Sequence, residues 1–202
     1  IFTGGEPTLR ADLVELIEHA EHLGQVTGLL TDGHKLGDSE YLQALLQSGL
    51  DHLMIVLDPD KDTLWETLDK VLHEDIHTTV HLTLTGQNAD QFSEHLSRLT
   101  GLDLQALSLS TNNPALNETL QEIRNQAAVL GLSLVWDIPA PYSSFNPVAL
   151  ELGENEQQTS GAGSAYLYIE PDGDVLAAQG LPDVLGNMLS EPWGQIWQRM
   201  SG

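Results

Sequence analysis

The chain has 202 residues, 41% of them hydrophobic, enough for one sizeable core and too apolar for a disordered chain. Thirty acidic residues against seven basic ones leave a formal charge of −23, a field that repels nucleic acid and anionic lipid and argues against both as partners. Cysteine is absent, so these residues form no disulfide and no thiolate-held metal site, and no apolar run approaches the roughly 20 residues of a membrane span.

Ile1-Phe2-Thr3 is the end of a strand, broken by Gly4-Gly5 and followed by one carboxylate, Glu6, and by Pro7, which suits the first turn of a helix. Opening on Ile1 and on a strand end, the chain reads as a piece of a longer protein. Leu9, Leu13, Leu16, Ile17, Ala20 and Leu23 fall on one helical face that Gly24 ends. A short strand, Val26 to Thr31, stops at Asp32-Gly33. Leu42, Leu45 and Leu46 mark a second helix closed by Gly49, and the unalternating run Leu53-Met54-Ile55-Val56-Leu57 suits a strand buried on both faces. Asp58-Pro59-Asp60 leads to a helix carrying Leu64, Leu68, Val71 and Leu72, with Asp62 as its expected N-cap. A strand from Thr79 to Thr85, a helix around Phe92, Leu96 and Leu99, and a strand near Leu104 to Ser110 follow. The next helix carries Leu116, Leu120, Ile123 and Ala127 and ends at Gly131, and Leu132 to Trp136 is one more strand. This alternation predicts an α/β fold whose parallel sheet, open or curved into a barrel, carries helices outside and binds ligands at its C-terminal strand ends.

The pattern changes at Asp137. Ile138-Pro139-Ala140-Pro141, Asn146-Pro147 and the polar stretch from Glu151 to Gly163 form a linker. Beyond it, Tyr166-Leu167-Tyr168-Ile169 and Val175-Leu176-Ala177 flank Pro171-Asp172-Gly173, a β-hairpin pattern, and a short helix bears Trp193, Ile196 and Trp197. The expected division is 1–137, a linker over 138–164, and a small module over 165–202 packed through its tryptophans.

Gly4 and Gly5 let a ligand approach the backbone, and Glu6 can pair with an ammonium group. A tight turn with Glu6 in solvent or near the following helix N-terminus is the competing reading. Three further polar corners fall at strand ends, as one site requires: Thr31-Asp32-Gly33, Asp58, and Thr85 with Asn88. His19 and His22 have zinc-permitting spacing near Glu15 and Glu18, but they lie off the apolar face and read as solvated. His81 alternates with Val80 and Leu82 and either points inward to a barrel ligand or sits in a polar layer, the second being the favoured reading. There is no Gly-x-Gly-x-x-Gly, phosphate loop or nucleophile elbow.

Gly4-Gly5-Glu6-Pro7 resembles the corner that ends the second barrel strand of radical S-adenosylmethionine (SAM) enzymes with a C-terminal SPASM or twitch module. Thr31-Asp32-Gly33 is similar to the family's Thr-Asn-Gly at the next strand end. Val56-Leu57-Asp58-Pro59 stands where the family often has Ser-Leu-Asp-Gly, so a hydroxyl that usually faces the cofactor is missing. Asn88 is similar to a family asparagine after the fifth strand. Tyr166 to Leu176, then Leu185-Gly186-Asn187-Met188 and a Trp-bearing helix, resemble the SPASM or twitch ending. Ser160-Gly161-Ala162-Gly163 and Ala177-Ala178 take the places of its cysteine elements, so the auxiliary cluster is expected to be absent.

The resemblance implies a partial (β/α)6 TIM-like barrel missing its first strand, plus a β-hairpin and helix module. It implies that Gly4, Gly5, Glu6, Pro7, Thr31, Asp32, Asp58 and Asn88 bind S-adenosylmethionine in the cytoplasm. A 4Fe-4S cluster would be held only in a longer parent chain, by a three-cysteine loop upstream of Ile1. With it, the parent would generate a 5′-deoxyadenosyl radical to modify a peptide or protein; the 202 residues alone would be inactive. Cysteine loss motivates a second reading, a degenerate relative acting as a peptide-binding or scaffold protein. A third is an unrelated barrel enzyme with Glu6 and Asp58 as acid and base.

Overall fold

The computed structural model describes residues 1–111, 113–135, 163, 167–177 and 181–200. The stretch expected to be a linker, together with Ser160, Ala162 and Ala178, lies outside these residues apart from Gly163. Two compact units are present, one taking in Ile1–Trp136 and the other the described residues from 163 onward.

The first unit is α/β. Its strands β1 (Gly28–Thr31), β2 (His52–Val56), β3 (His77–Leu84) and β4 (Ala106–Thr111) form one parallel sheet in chain order. Phe2 extends it by a parallel bridge to Leu29, and Leu134 by another to Leu107. The helices are α1 (Leu13–His22), α2 (Ser39–Gln47), α3 (Asp62–Leu72), α4 (Phe92–Leu99) and α5 (Asn117–Val129). Parallel neighbours taken in order need right-handed crossovers, which put every helix on the same face of the sheet.

Packing bears this out. Leu29, Leu53, Ile55, Val80, Leu82, Leu107 and Leu109 share one face and join one core with Leu13, Ile17, Leu68, Phe92, Leu96 and Ile123 from the helices. The opposite face is divided. Leu30, Met54 and Val56 line it on β1 and β2, whereas Thr79, His81, Thr83, Ser108 and Ser110 line it on β3 and β4. A sheet buried on both faces ordinarily reads apolar throughout, so this polar wall departs from pattern.

Local chemistry shifts several expected boundaries. Leu9 and Leu23 lie outside α1 and are 78% and 64% exposed. Pro7 starts a three-residue 3₁₀ turn instead of the helix, and Arg10 is extended, so α1 begins only at Leu13. Asp62 is the first residue of α3, not its N-cap; its carboxylate accepts from Arg98 Nη1 at 3.1 Å. Val26 is exposed ahead of β1. The strand expected over Leu132 to Trp136 pairs through Leu134, with Val135 N donating to Leu107 O.

In the second unit β5 (Tyr168–Ile169), β6 (Asp174–Leu176) and β7 (Val184–Asn187) form an antiparallel sheet followed by α6 (Trp193–Met200). The expected hairpin is β5 and β6; β7 is a strand that the pattern did not signal. Gly173 turns the hairpin at φ +91°, where a Cβ would meet Leu189 Cγ at 2.7 Å. Asn187 fastens the unit, its amide donating to Asp172 O and Asp174 Oδ1. Ile196 is buried, while the Trp193 and Trp197 rings lie 5.8 Å apart and remain about half exposed.

Candidate functional site

All strands of the first unit run the same way, so the loops after Phe2, β1, β2 and β3 meet at one end of the sheet. Gly4 and Gly5 turn the first of them at φ +91° and +53°, in the left-handed region. A Cβ on Gly5 would meet nothing within 4 Å, so the position needs glycine for conformation and leaves open space beside the backbone. Pro7 then opens the 3₁₀ turn with Glu6 as its cap.

Glu6 is tied to two loops at once. Its Oε1 accepts from Thr8 N at 2.9 Å, Thr8 Oγ1 at 2.6 Å and Thr31 Oγ1 at 2.7 Å, and its Oε2 accepts from Asp32 N at 2.7 Å. A carboxylate offers about four acceptor sites, two on each oxygen, so Oε1 is saturated and Oε2 retains room for one more donor. Lys35 braces the turn from behind, donating to Thr8 O at 2.8 Å while its ammonium sits 4.0 Å over the Tyr41 ring. Burial first, and then the Glu6 charge, raise the Tyr41 pKa.

Gly5, Glu6, Asp32, Asp58, Thr83 and Thr85 line one cavity of about 610 Å³, together with His34, Lys61 and the apolar Val56, Leu57, Pro59 and Leu64. Five of the sequence-derived corner residues, Gly5, Glu6, Asp32, Asp58 and Thr85, thus share it. Thr31 is fully buried and acts on it through Glu6, while Gly33 completes that corner at φ +79°, where a Cβ would meet Ile55 Cγ2 at 3.1 Å. The Asp58-Pro59 loop is held by Trp65, whose Nε1 donates to Pro59 O at 3.0 Å. Asn88 serves the cavity indirectly. Its Oδ1 accepts from Thr85 N and its Nδ2 donates to Thr83 O, so the amide fastens the loop that presents Thr85. A smaller cavity, about 390 Å³, lies between the His34–Gly37 turn and α3.

His34 and Lys61 are residues that sequence reading missed. Lys61 Nζ lies 3.2 Å from Asp58 Oδ2 and 3.3 Å from His34 Nε2, and His34 Nδ1 is 3.5 Å from Asp32 Oδ1. An ammonium can only donate, so Nε2 accepts and the Nδ1 proton faces Asp32. The only available signal was scarcity, since the chain has three lysines and one of them follows Asp58-Pro59-Asp60.

His81 sits behind the cavity wall. It is fully buried, with Nδ1 2.9 Å from Ser108 Oγ and Nε2 3.1 Å from Ser110 Oγ and 3.3 Å from Thr83 Oγ1. Burial without a charged partner pushes its pKa down to about 3, so the ring is neutral, as a polar layer requires. His22 Nδ1 turns back to Glu18 O. Among the described residues the one cluster of potential metal-binding side chains is Glu170, Asp172 and Asp174 on the hairpin, and His19 and His22 form none.

Among the described residues no helix is long and apolar enough to cross a membrane. No family model matches the chain. The chain is 26% identical, over 217 aligned positions, to the PqqA peptide cyclase of Rhodopseudomonas palustris. That alignment covers 92% of this chain and 55% of the relative, so the chain spans about half the length of the curated protein it matches, and over that half it is similar to a peptide-cyclising enzyme.

Proposed function

We propose that these 202 residues are the cofactor-binding portion of a radical SAM enzyme that modifies a peptide or protein. In this reading the first unit is a partial (β/α)6 barrel and the second a SPASM- or twitch-like module. The observation that carries it is the convergence of Gly5, Glu6, Asp32 and Asp58 on one strand-end cavity in a chain similar to a peptide cyclase. The sequential parallel sheet with helices on one face supports the barrel.

The residues fit S-adenosylmethionine. Gly4 and Gly5 leave the backbone approachable, Oε2 of Glu6 has room for one N–H of an ammonium, and Thr85 brings a hydroxyl to the cavity for a ribose. Pro7 and Thr31 hold Glu6 in place, Asp32 and Asp58 set the charge of the wall, and Asn88 keeps the Thr85 loop in register. In this enzyme class the cofactor supplies a 5′-deoxyadenosyl radical once a 4Fe-4S cluster has reduced it. The chain has no cysteine and no ligand set for such a cluster, so the role of these residues is to bind and orient.

That same lack of cysteine favours a second reading, a non-catalytic relative that binds a peptide as a scaffold. Isothermal titration of the 202-residue chain with S-adenosylmethionine tests the leading one. Saturable binding that Glu6→Ala weakens about tenfold or more supports it, that being the loss expected for a charge-assisted hydrogen bond. Binding unchanged in Glu6→Ala removes Glu6 from the site, and no binding at all leaves the scaffold reading.

A further inference from the structure

We infer that Lys61, oriented by His34, holds the carboxylate of the amino-acid end of S-adenosylmethionine, an assignment that rests on the cofactor reading above. Near neutral pH the ligand carries two positive groups, its sulfonium and ammonium, and one negative group, its carboxylate. The cavity mirrors that pattern: Glu6, Asp32 and Asp58 supply carboxylates, and Lys61 is the single Lys or Arg among the residues that line it. A ligand carboxylate placed beside any of the three acids would meet like charge, which leaves the Lys61 ammonium as its complement.

The other cations are committed elsewhere. Lys35 donates to Thr8 O, Lys70 to Gly37 O and Ser39 Oγ, Arg10 pairs with Asp12, Arg98 with Asp62 and Arg199 with Glu191, and Arg124 donates to Leu109 O. Lys61 is half exposed at the cavity, where its ammonium faces His34 Nε2 at 3.3 Å and pairs with the Asp58 carboxylate at 3.2 Å. With the ammonium facing Nε2 as a donor, the imidazole presents its lone pair to Lys61, and the Asp32 carboxylate, held by the His34 backbone N–H, lies 3.5 Å from Nδ1. The arrangement runs Asp32, His34, Lys61, Asp58 along the wall.

Two ligands separate a recognition role from a structural one. The 202-residue chain and its Lys61→Met variant are titrated calorimetrically with S-adenosylmethionine and with decarboxylated S-adenosylmethionine. The expected result is that Lys61→Met weakens the first on the order of 10- to 100-fold, the loss of one charge-assisted hydrogen bond, and leaves the second within about twofold. Lys61→Arg restores part of the affinity for the first ligand. Equal weakening of both ligands would show that Lys61 only stiffens the Asp58 loop, and unchanged affinity for the first would remove it from the site; either overturns the inference alone. If the unmodified chain binds neither ligand, the cofactor reading falls and this assignment falls with it.

Discussion

Replacing His81 by Gln tests the origin of the polar wall through pH. His81 is fully buried, its ring is contacted by the hydroxyls of Ser108, Ser110 and Thr83, and its pKa falls from the ordinary 6.5 to about 3. Between those values the unfolded chain binds a proton on this residue and the native chain does not, so acid favours the unfolded state. Its penalty is absent above pH 6.5 and grows as the pH falls towards 3. At about 1.36 kcal/mol per pH unit, the native state loses about 2.5 kcal/mol between pH 7 and pH 4.5 from His81 alone. Gln keeps a donor and an acceptor for the two serines and does not titrate, so the variant lacks that slope, and its stability relative to the parent rises by about 2.5 kcal/mol from pH 7 to pH 4.5. Urea unfolding of both proteins at several pH values reads the difference, in which the other histidines and the carboxylates cancel. Parallel stability profiles across pH 4.5 to 7 would refute a neutral, desolvated His81.

Three further outcomes follow from the same structure. Gly33→Ala places a Cβ at φ +79° against Ile55 Cγ2, at a cost of roughly 1–2 kcal/mol and a melting temperature lowered by about 2–8 °C; an unchanged melting temperature contradicts the corner geometry. Added sodium chloride raises the melting temperature, because a charge of −23 repels itself and the screening length falls from about 10 Å at 0.1 M to 3 Å at 1 M. A flat or falling salt dependence would mean that the acids are compensated locally. Anaerobic reconstitution of the 202 residues with iron and sulfide leaves no brown absorbance, since no thiolate is present, and a stable cluster with stoichiometric sulfide would overturn that expectation.

The sequence conveyed periodic features well and long-range ones poorly. Leu53 to Leu57 announced a buried strand because a parallel strand under a helix layer has no polar positions to betray its pleat, and Pro171-Asp172-Gly173 announced a hairpin because Gly173 needs a positive φ. The corner at Gly4 to Pro7 was visible for the same local reason. Its partners were not: Thr31 and Asp32 are more than twenty residues away, and only folding brings a hydroxyl and an amide onto Glu6. Lys61 and His34 escaped notice because a single polar residue in a loop has no periodicity, and they meet across two strand ends. Leu9 was read into α1 because leucine at the right spacing mimics a helical face, whereas the Glu6 cap commits those residues to a separate 3₁₀ turn. Asn88 was legible as a loop residue, but whether its amide would face inward or back onto its own loop depended on backbone geometry around Thr83 and Thr85.

The bonds of Glu6 also bear on how this segment would evolve. Thr8, Thr31 and Asp32 all donate to one side chain, so position 6 cannot drift to a residue without a side-chain acceptor unless donors in two loops are stranded. Purifying selection on stability alone would therefore keep an acid there, with a hydroxyl at 31, in a lineage that had abandoned the chemistry. Persistence of the acid at position 6 is thus a record of architecture, and retention of Lys61, whose half-exposed ammonium pairs with Asp58 at the cavity, is the better marker of continued ligand use.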